Sequence, residues 1–401
     1  MSITSADAEV RAMTAHPSGT ATSGRTEVKR ILHCTTGLAG LALLLAVVAP
    51  SMSQPATAFD LEALVEKARS EPPITVYAVT GKIVETAEAF SKKYGVTATG
   101  RKVNEAEQIE LLIREGRAGN VVGDVSVAAD VAAIAGQLIP SGLVQSWVPQ
   151  DLAGDISPAA HDPLVIVTDP HVWTYNTEVF DACPVSNIWQ LTEPAHARKV
   201  TMLDPLVKPN YADWFNQMEM HHDAEMAQAY EDYFGKPLET EERSATAAWV
   251  KAFAQNQPLL ADSSAVAEAI GAPGQSEPFF GIVSTAKYRD NEAHGYKLGI
   301  CADMQPFAGW LYPGLGMIAS GTDSPNAARL FIRYLLTEEG IAPQTIDGKI
   351  SANGSVPIHA EEASGIGKHL DRLMAFEMNT AIDDFDNRQD WQDLWRSNYS
   401  R

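Results

Sequence analysis

The chain has 401 residues, with 30 Lys and Arg against 51 Asp and Glu, a formal net charge of −21. Like-charge repulsion excludes nucleic acid and anionic membrane surfaces as general partners of so acidic a protein. The length suffices for two lobes, each with a substantial core.

Arg25, Lys29 and Arg30 precede the apolar stretch GLAGLALLLAVVAP, and Ala56-Thr57-Ala58 has the small-x-small form of a signal-peptidase site. Residues 1–58 therefore read as an export signal cleaved before Phe59. Cys34 precedes the apolar core and follows Leu32-His33, which does not suit a lipoprotein anchor. No later segment approaches the ~20 apolar residues of a membrane span, so the expected product is a soluble exported protein. Without residues 1–58, 26 Lys and Arg face 48 Asp and Glu, a net charge of −22. An oxidising compartment makes a Cys183–Cys301 disulfide the expectation, with two separate buried thiols as the alternative. In the chain-entropy model, closing so long a loop contributes about 4–5 kcal/mol.

Ile74 to Val79 form a run that is apolar on both faces and predicts a buried parallel strand. From Lys82 the period changes: Ile83, Ala87, Phe90 and Tyr94 recur at helical spacing, and Gly95 ends the helix. The turn between them, Thr80-Gly81-Lys82, exposes the first free N–H groups of that helix, where an anion gains about 0.3–1 kcal/mol from the helix dipole. With one glycine and no following hydroxyl it is not a nucleotide-binding P-loop, and a Thr N-cap on a plain turn is the alternative.

VTATGRKV then reads as a strand, EAEQIELLIREG as a helix ending near Gly116, GDVSVAADV as a strand into a turn, and VAAIAGQL as a short helix. This alternation implies an α/β fold with a doubly wound, mostly parallel sheet. Leu164 to Phe180 is extended without helical period and suits a crossing between lobes. A second alternating set follows: strand KVTML, turn DPLVKPNY, helices from about Ala212, from Ala224 to Phe234 and around Ala245 to Ala254, then PLLADSSAVAEAIGAPG and strand PFFGIVST. In PLLADSSAVAEAIGAPG, Asp262-Ser263-Ser264 cap a helix that Gly271 ends. LGMIASG reads as a return crossing, and SPNAARLFIRYLLTEEG as a helix capped by Ser324 and ended at Gly340.

His221 and His222 are adjacent on a predicted helix and diverge, unlike the i, i+4 histidines of a zinc-protease helix. Trp214, Phe215 and Met218 fall at helical spacing and read as core. The chain has no G-x-S-x-G elbow and no H-E-x-x-H, which leaves an exported enzyme acting on a phosphate ester as a minor alternative.

Taken in order, the export signal, ITVYAVTGKIVETAEAFSKKYG, VWTYNT, DPLVKPNYADWF, SSAVAEAI and SPNAARLFIRYLLTEEG resemble the periplasmic solute-binding proteins of ABC importers. Within these the chain is similar to the type II group that includes ferric-iron, phosphonate, thiamine and hexose-phosphate binders. The resemblance implies a two-lobed α/β fold with crossing hinge strands, a ligand cleft, delivery to an inner-membrane permease, no chemistry on the ligand, no cofactor and a monomer. Its expected segments are 59–168 for the first lobe, 169–302 for the second, and 303–401 returning to the first with C-terminal helices near the hinge.

Similar ferric binders hold the metal with adjacent tyrosines after the strand that follows the Ser-capped helix. Here that region reads FFGIVSTAK, giving Ser284-Thr285, and the chain has no Tyr-Tyr pair. The expectation is thus a small anionic solute, a phosphorylated sugar or phosphonate, with ferric iron as the alternative. Thr80, Gly81, Lys82, Ser263 and Ser264 are the expected anion contacts. Tyr175 is expected on the cleft floor, and Asp204, Tyr211, His222 and Asp223 are expected to read the remainder of the ligand.

Overall fold

A computed structural model describes residues 59–399; the expected export signal at 1–58 lies outside the described residues. After α1 (Leu61–Arg69), the chain builds β1 (Ile74–Ala78), α2 (Ile83–Tyr94), β2 (Ala98–Lys102), α3 (Glu105–Ala118) and β3 (Val125–Ala128). A short α4 (Val131–Ala133) runs into a π-helical turn, Ile134–Leu138, before β4 (Val144–Gln145) and the long β5 (Val165–Asn176). Next come β6 (Val200–Met202), α5 (Pro209–Phe234), α6 (Ala245–Gln255), β7 (Leu259–Leu260), α7 (Ser263–Gly271), β8 (Phe280–Ser284), α8 (Asp290–Ala293) and β9 (Leu298–Ile300). The chain returns through β10 (Gly309–Ala319), α9 (Pro325–Leu335), α10 (Glu338–Thr345), β11 (Ile350–Ser351) and β12 (Leu373–Met374) to α11 (Ala381–Asn398).

The sheet path is β2-β1-β3-β10-β5-β8-β6-β7. Its two ends are parallel, β2-β1-β3 and β8-β6-β7, and between them the two long strands β5 and β10 run antiparallel to each other and to the flanking β8 and β3. The apolar core has two large clusters. One cluster gathers α1, β1, α2, α9 and α10; the larger gathers β5, α5, α6, α7, β8 and α11. This is the two-lobed α/β arrangement with crossing strands. Cys183 and Cys301 are disulfide-bonded.

Local chemistry explains most boundaries. Ile83, Ala87, Phe90 and Tyr94 form the buried face of α2, and Gly95 closes it at φ 69°. Phe90 is fully buried against Phe331, 4.8 Å away, a burial of about 1.5–3 kcal/mol. Helix α3 ends at Gly119, φ 62°, three residues beyond the expected Gly116. Gly116 instead lies where an added Cβ would sit 2.8 Å from Leu143, so it marks close packing and not a stop. Nor does Gly340 end α9: Thr337 caps a new helix, α10, which contains it. Ser324 bonds the Pro72 carbonyl, and the N-terminus of α9 is capped from α1's far end by Glu71, which accepts from the N–H groups of Asn326 and Ala327. The two helices expected on either side of His222 are one helix, α5, kinked where His222 leaves helical geometry (φ −136°, ψ 19°).

Helix α11 packs on α5, α6, α4 and the π-helical turn. Its Arg388 binds Asp130, between β3 and α4, at 2.6 Å, and Asp213, in α5, at 2.8 Å. Tyr312 of β10 donates to Asp213 and accepts from the Val131 N–H. Burial pushes the Asp213 carboxyl up, with the Arg388 guanidinium pulling against it. Four segments from both halves of the molecule meet in this buried clasp.

Arg388→Met leaves Asp130 and Asp213 buried without their cation, so it is expected to cost about 3–5 kcal/mol in urea unfolding. Glu71→Ala, which uncaps α9, is expected to cost about 1 kcal/mol in the same titration. An unchanged midpoint in the first variant would contradict the clasp.

Candidate functional site

The parallel strands deliver their C-terminal ends to one cavity of about 240 Å³. Ala78 ends β1 and Val79 to Gly81 follow it, Lys102 ends β2, Val127 and Ala129 belong to the end of β3, Leu203 follows β6, Ser284 ends β8, and Ala286, Lys287 and Arg289 follow it. Asp169 and His171 of β5 and Tyr312 to Gly314 of β10 line it from the crossing strands, and Gln344, Asp347 and Lys349 come from the segment after α9. In open α/β sheets this is where ligands bind, because the strand ends and helix N-termini converge there.

The lining is cationic. Lys102, Lys208, Lys287, Arg289 and Lys349 stand against Glu105, Asp169 and Asp347. Lys208 pairs with Glu105 at 2.8 Å, joining the turn before α5 to the start of α3. Arg289 pairs with Asp347, joining the segment after β8 to that after α10. Asp169 accepts from the Ser284 hydroxyl at 2.6 Å and lies 3.6 Å from Lys349 and 3.8 Å from His171. Burial alone would raise its carboxyl, but Lys349, His171 and Ser284 together hold it well below the usual carboxylate range. Burial raises Asp347, with Arg289, Lys82 and Lys349 opposing. Burial lowers Lys287, whose ammonium donates to the Ser264 hydroxyl at 2.9 Å. Among the described residues, Lys102 has no carboxylate partner.

Of the residues expected from sequence, the structure brings Thr80, Gly81 and Ser263 to the cavity. Lys82 sits just outside its lining, paired with Glu85 at 3.2 Å one helical turn away. Ser264 is likewise outside but holds Lys287 in position. Tyr211 is sealed from solvent behind the wall, its hydroxyl 3.3 Å from His171 Nδ1. The remaining four are elsewhere. Tyr175 packs by Gly299 at the far end of β5. Asp204 accepts from the Leu206 N–H in the turn before α5. His222 lies against Phe307 and Glu225, and Asp223 caps α6 by accepting from the N–H groups of Ala245 and Thr246. At the kink in α5, His222 thus meets Phe307 of the β9–β10 connection and Asp223 meets the start of α6.

Sequence reading missed Lys102, Asp169, His171, Lys208, Asn210, Lys287, Arg289, Gln344 and Lys349. The available signal was position: a charged residue at the C-terminal end of a predicted parallel strand, as in GRK and STAKYR, belongs to the cleft. Asp347 and Lys349 carried no such mark, since they stand in a loop after two helices. Among the described residues, no group of three or more His, Cys, Asp or Glu side chains is arranged to hold a metal ion.

Solved structures share the fold. Iron-bound HitA from Pseudomonas aeruginosa superposes with a TM-score of 0.62 at 14% identity, covering 81% of this chain and 99% of that one. A Trichodesmium protein in complex with iron and citrate gives 0.58 at 16%, covering 81% and 98%. The substrate-binding protein of an ABC transporter from Agrobacterium tumefaciens gives 0.59 at 14%, covering 82% and 95%. Identities this low carry the fold alone. The comparison with curated protein sequences returns no match. Residues 74–348 match the family of bacterial extracellular solute-binding proteins, most of the chain, and the protein belongs to that family of solute binders, not of enzymes.

Proposed function

We propose that the protein captures a small solute bearing two or more negative charges and hands it to an ABC permease in the inner membrane. One observation carries this reading: five cationic side chains against three carboxylates line the cavity of a chain whose net charge is −21. Lys349 is only 8% exposed, and an anion that replaces the water around a buried ammonium gains more than it would in bulk solvent. Export by the signal at 1–58 and residence in the periplasm as a monomer belong to the same reading.

In this reading residues 59–168 and 303–401 form one wall of the cleft and 169–302 the other. The pairs Glu105–Lys208 and Asp347–Arg289 then join the walls, and a solute favours the closed form by touching both.

The sugar half of a sugar phosphate has lost the residues expected to read it, since His222 and Asp223 are engaged elsewhere. A ferric ion is the second reading, and similarity to iron-binding proteins favours it over a sugar phosphate or a phosphonate. Ammonium groups have no lone pair for a metal, so the lining suits the carboxylates of an anionic ferric chelate better than the bare ion.

A thermal-shift screen against inorganic phosphate, 2-aminoethylphosphonate, glycerol 3-phosphate, malate, citrate, ferric chloride and ferric citrate tests the proposal. A solute at 100 times its dissociation constant adds about 2.7 kcal/mol of stability. Stabilisation by one or more anions is expected, reduced by about 1.5–3 kcal/mol of binding energy in Lys349→Met. A response to ferric chloride alone would overturn the anionic reading.

Asp169, held below the usual carboxylate range, contributes stability that is present above pH ~4 and lost as pH falls below it. The expected outcome is a steeper acid loss of melting temperature between pH 5 and 3 for the wild type than for Asp169→Asn, by about that range's one-group linkage. Parallel profiles would contradict it.

A further inference from the structure

Three of the five cations lining the cavity are matched one to one by its three carboxylates: Lys208 by Glu105, Arg289 by Asp347 and Lys349 by Asp169. Two remain. Among the described residues, Lys102 and Lys287 form no ion pair with a carboxylate, and the Lys287 ammonium donates to the neutral Ser264 hydroxyl. Lys102 is exposed and Lys287 half-buried, so both side chains are accessible to a solute in the cavity.

The two lysines come from separate segments. Lys102 ends β2 opposite Ala78, whose strand leads into Thr80 and Gly81, and Lys287 follows β8 beside the start of α7. In the two-wall reading they stand on different walls of the cleft. Lys287 also feels its surroundings as a cation among cations: burial lowers it first, Asp290 and Asp262 oppose that, and the like charges of Arg289 and Lys102 add to it.

The helix starts beside these lysines do not supply the charge instead. In α7 the N–H groups of Ser264 and Ala265 are taken by the Asp262 carboxylate, at 2.9 and 3.1 Å, and that carboxylate repels an anion. In α2 the Lys82 N–H donates to the Thr80 hydroxyl and the Val84 N–H to the Gly81 carbonyl. Both starts are capped from within, so the unmatched charge that meets a solute is that of the lysines.

We propose that Lys102 and Lys287 set the charge of the solute, each taking one negative charge, so that the cleft selects a dianion over a monoanion of the same shape and gains nothing from a third charge. The inference rests on the anionic-solute reading and narrows its ligand class to dianions. A matched cation already has its Coulomb partner, whereas an unmatched one gains a charge-assisted hydrogen bond from the solute. An ammonium is a point charge without the fixed fork of a guanidinium, so a carboxylate or a phosphate satisfies it.

The test is calorimetric titration of the purified protein at about pH 8, where a phosphate monoester carries close to two charges. The series are succinate with succinamate, glutarate with glutaramate and tricarballylate, and glycerol 3-phosphate with its phosphate methyl ester. Each dianion that binds is expected to do so at least about tenfold more tightly than its monoanionic partner, and tricarballylate no more tightly than glutarate. The dianion-to-monoanion ratio should fall toward one in Lys102→Met and in Lys287→Met. It should persist when a matched pair is removed together, in Glu105→Gln with Lys208→Met. The carboxylate and phosphate series separate the two sources of charge. A ratio near one in the wild type, a ratio unchanged in both lysine variants, or a trianion that binds more tightly than its dianion would overturn the inference while leaving the anionic reading intact. Binding by no member of any series would overturn that reading and this inference with it. The wild-type ratios and the exposed Lys102 variant decide the matter should Lys287→Met fail to fold.

Discussion

The antiparallel pairing of β5 with β10, from Gly309 opposite Val172 to Leu315 opposite Val165, is what the rest of the molecule hangs on. Within the sheet these two strands join one parallel triplet to the other, so their register fixes where the strand ends meet. The pairing tolerates no side chain at its start. A Cβ on Gly309 would sit 2.1 Å from the His171 carbonyl oxygen, nearer than any real contact allows. With the register set, Asp169 and His171 face the cavity on one strand and Tyr312 on the other, and the Tyr312 hydroxyl reaches back to Asp213 and thus to Arg388. The cleft and the C-terminal clasp therefore share a residue.

Net charge and local charge point in opposite directions here. A protein at −21 repels anions at long range, but the Debye length is about 8 Å at physiological salt, and inside a cleft the nearest side chains decide. Each cation owes its place to the backbone: Lys102 to the end of β2, Lys287 and Arg289 to the segment after β8, and Lys349 to the turn after α10. The carboxylates do a different job. Asp169 orients Lys349, while Glu105 and Asp347 each pair with a cation from another part of the chain.

The fold was legible in the sequence because its signals are local. The two-face apolar run at Ile74, the stripe of α2 with Gly95 behind it, and the unbroken extended segment from Leu164 follow from periodicity and turn chemistry. Boundaries failed where a distant partner overrode a local rule. Gly116 and Gly340 look like helix ends but are small to admit Leu143 and the Tyr334 carbonyl, and the cap of α9 comes from Glu71, more than 250 residues earlier. The site was half legible. Thr80, Gly81 and Ser263 were found from helix starts on strand ends. His222 and Asp223 were attractive by residue type, but the kink in α5, which no sequence pattern announced, commits them to packing and capping. The lysines escaped notice because single lysines are ordinary surface residues until the topology gathers them.

Native mass spectrometry of the protein isolated without denaturant from the cells that produce it tests the central claim most directly, since it weighs whatever solute the cleft retains. A bound species that is released as a small molecule with two or more negative charges, alone or chelating iron, is the result predicted here. A neutral or cationic solute, or iron without an organic anion, would contradict it.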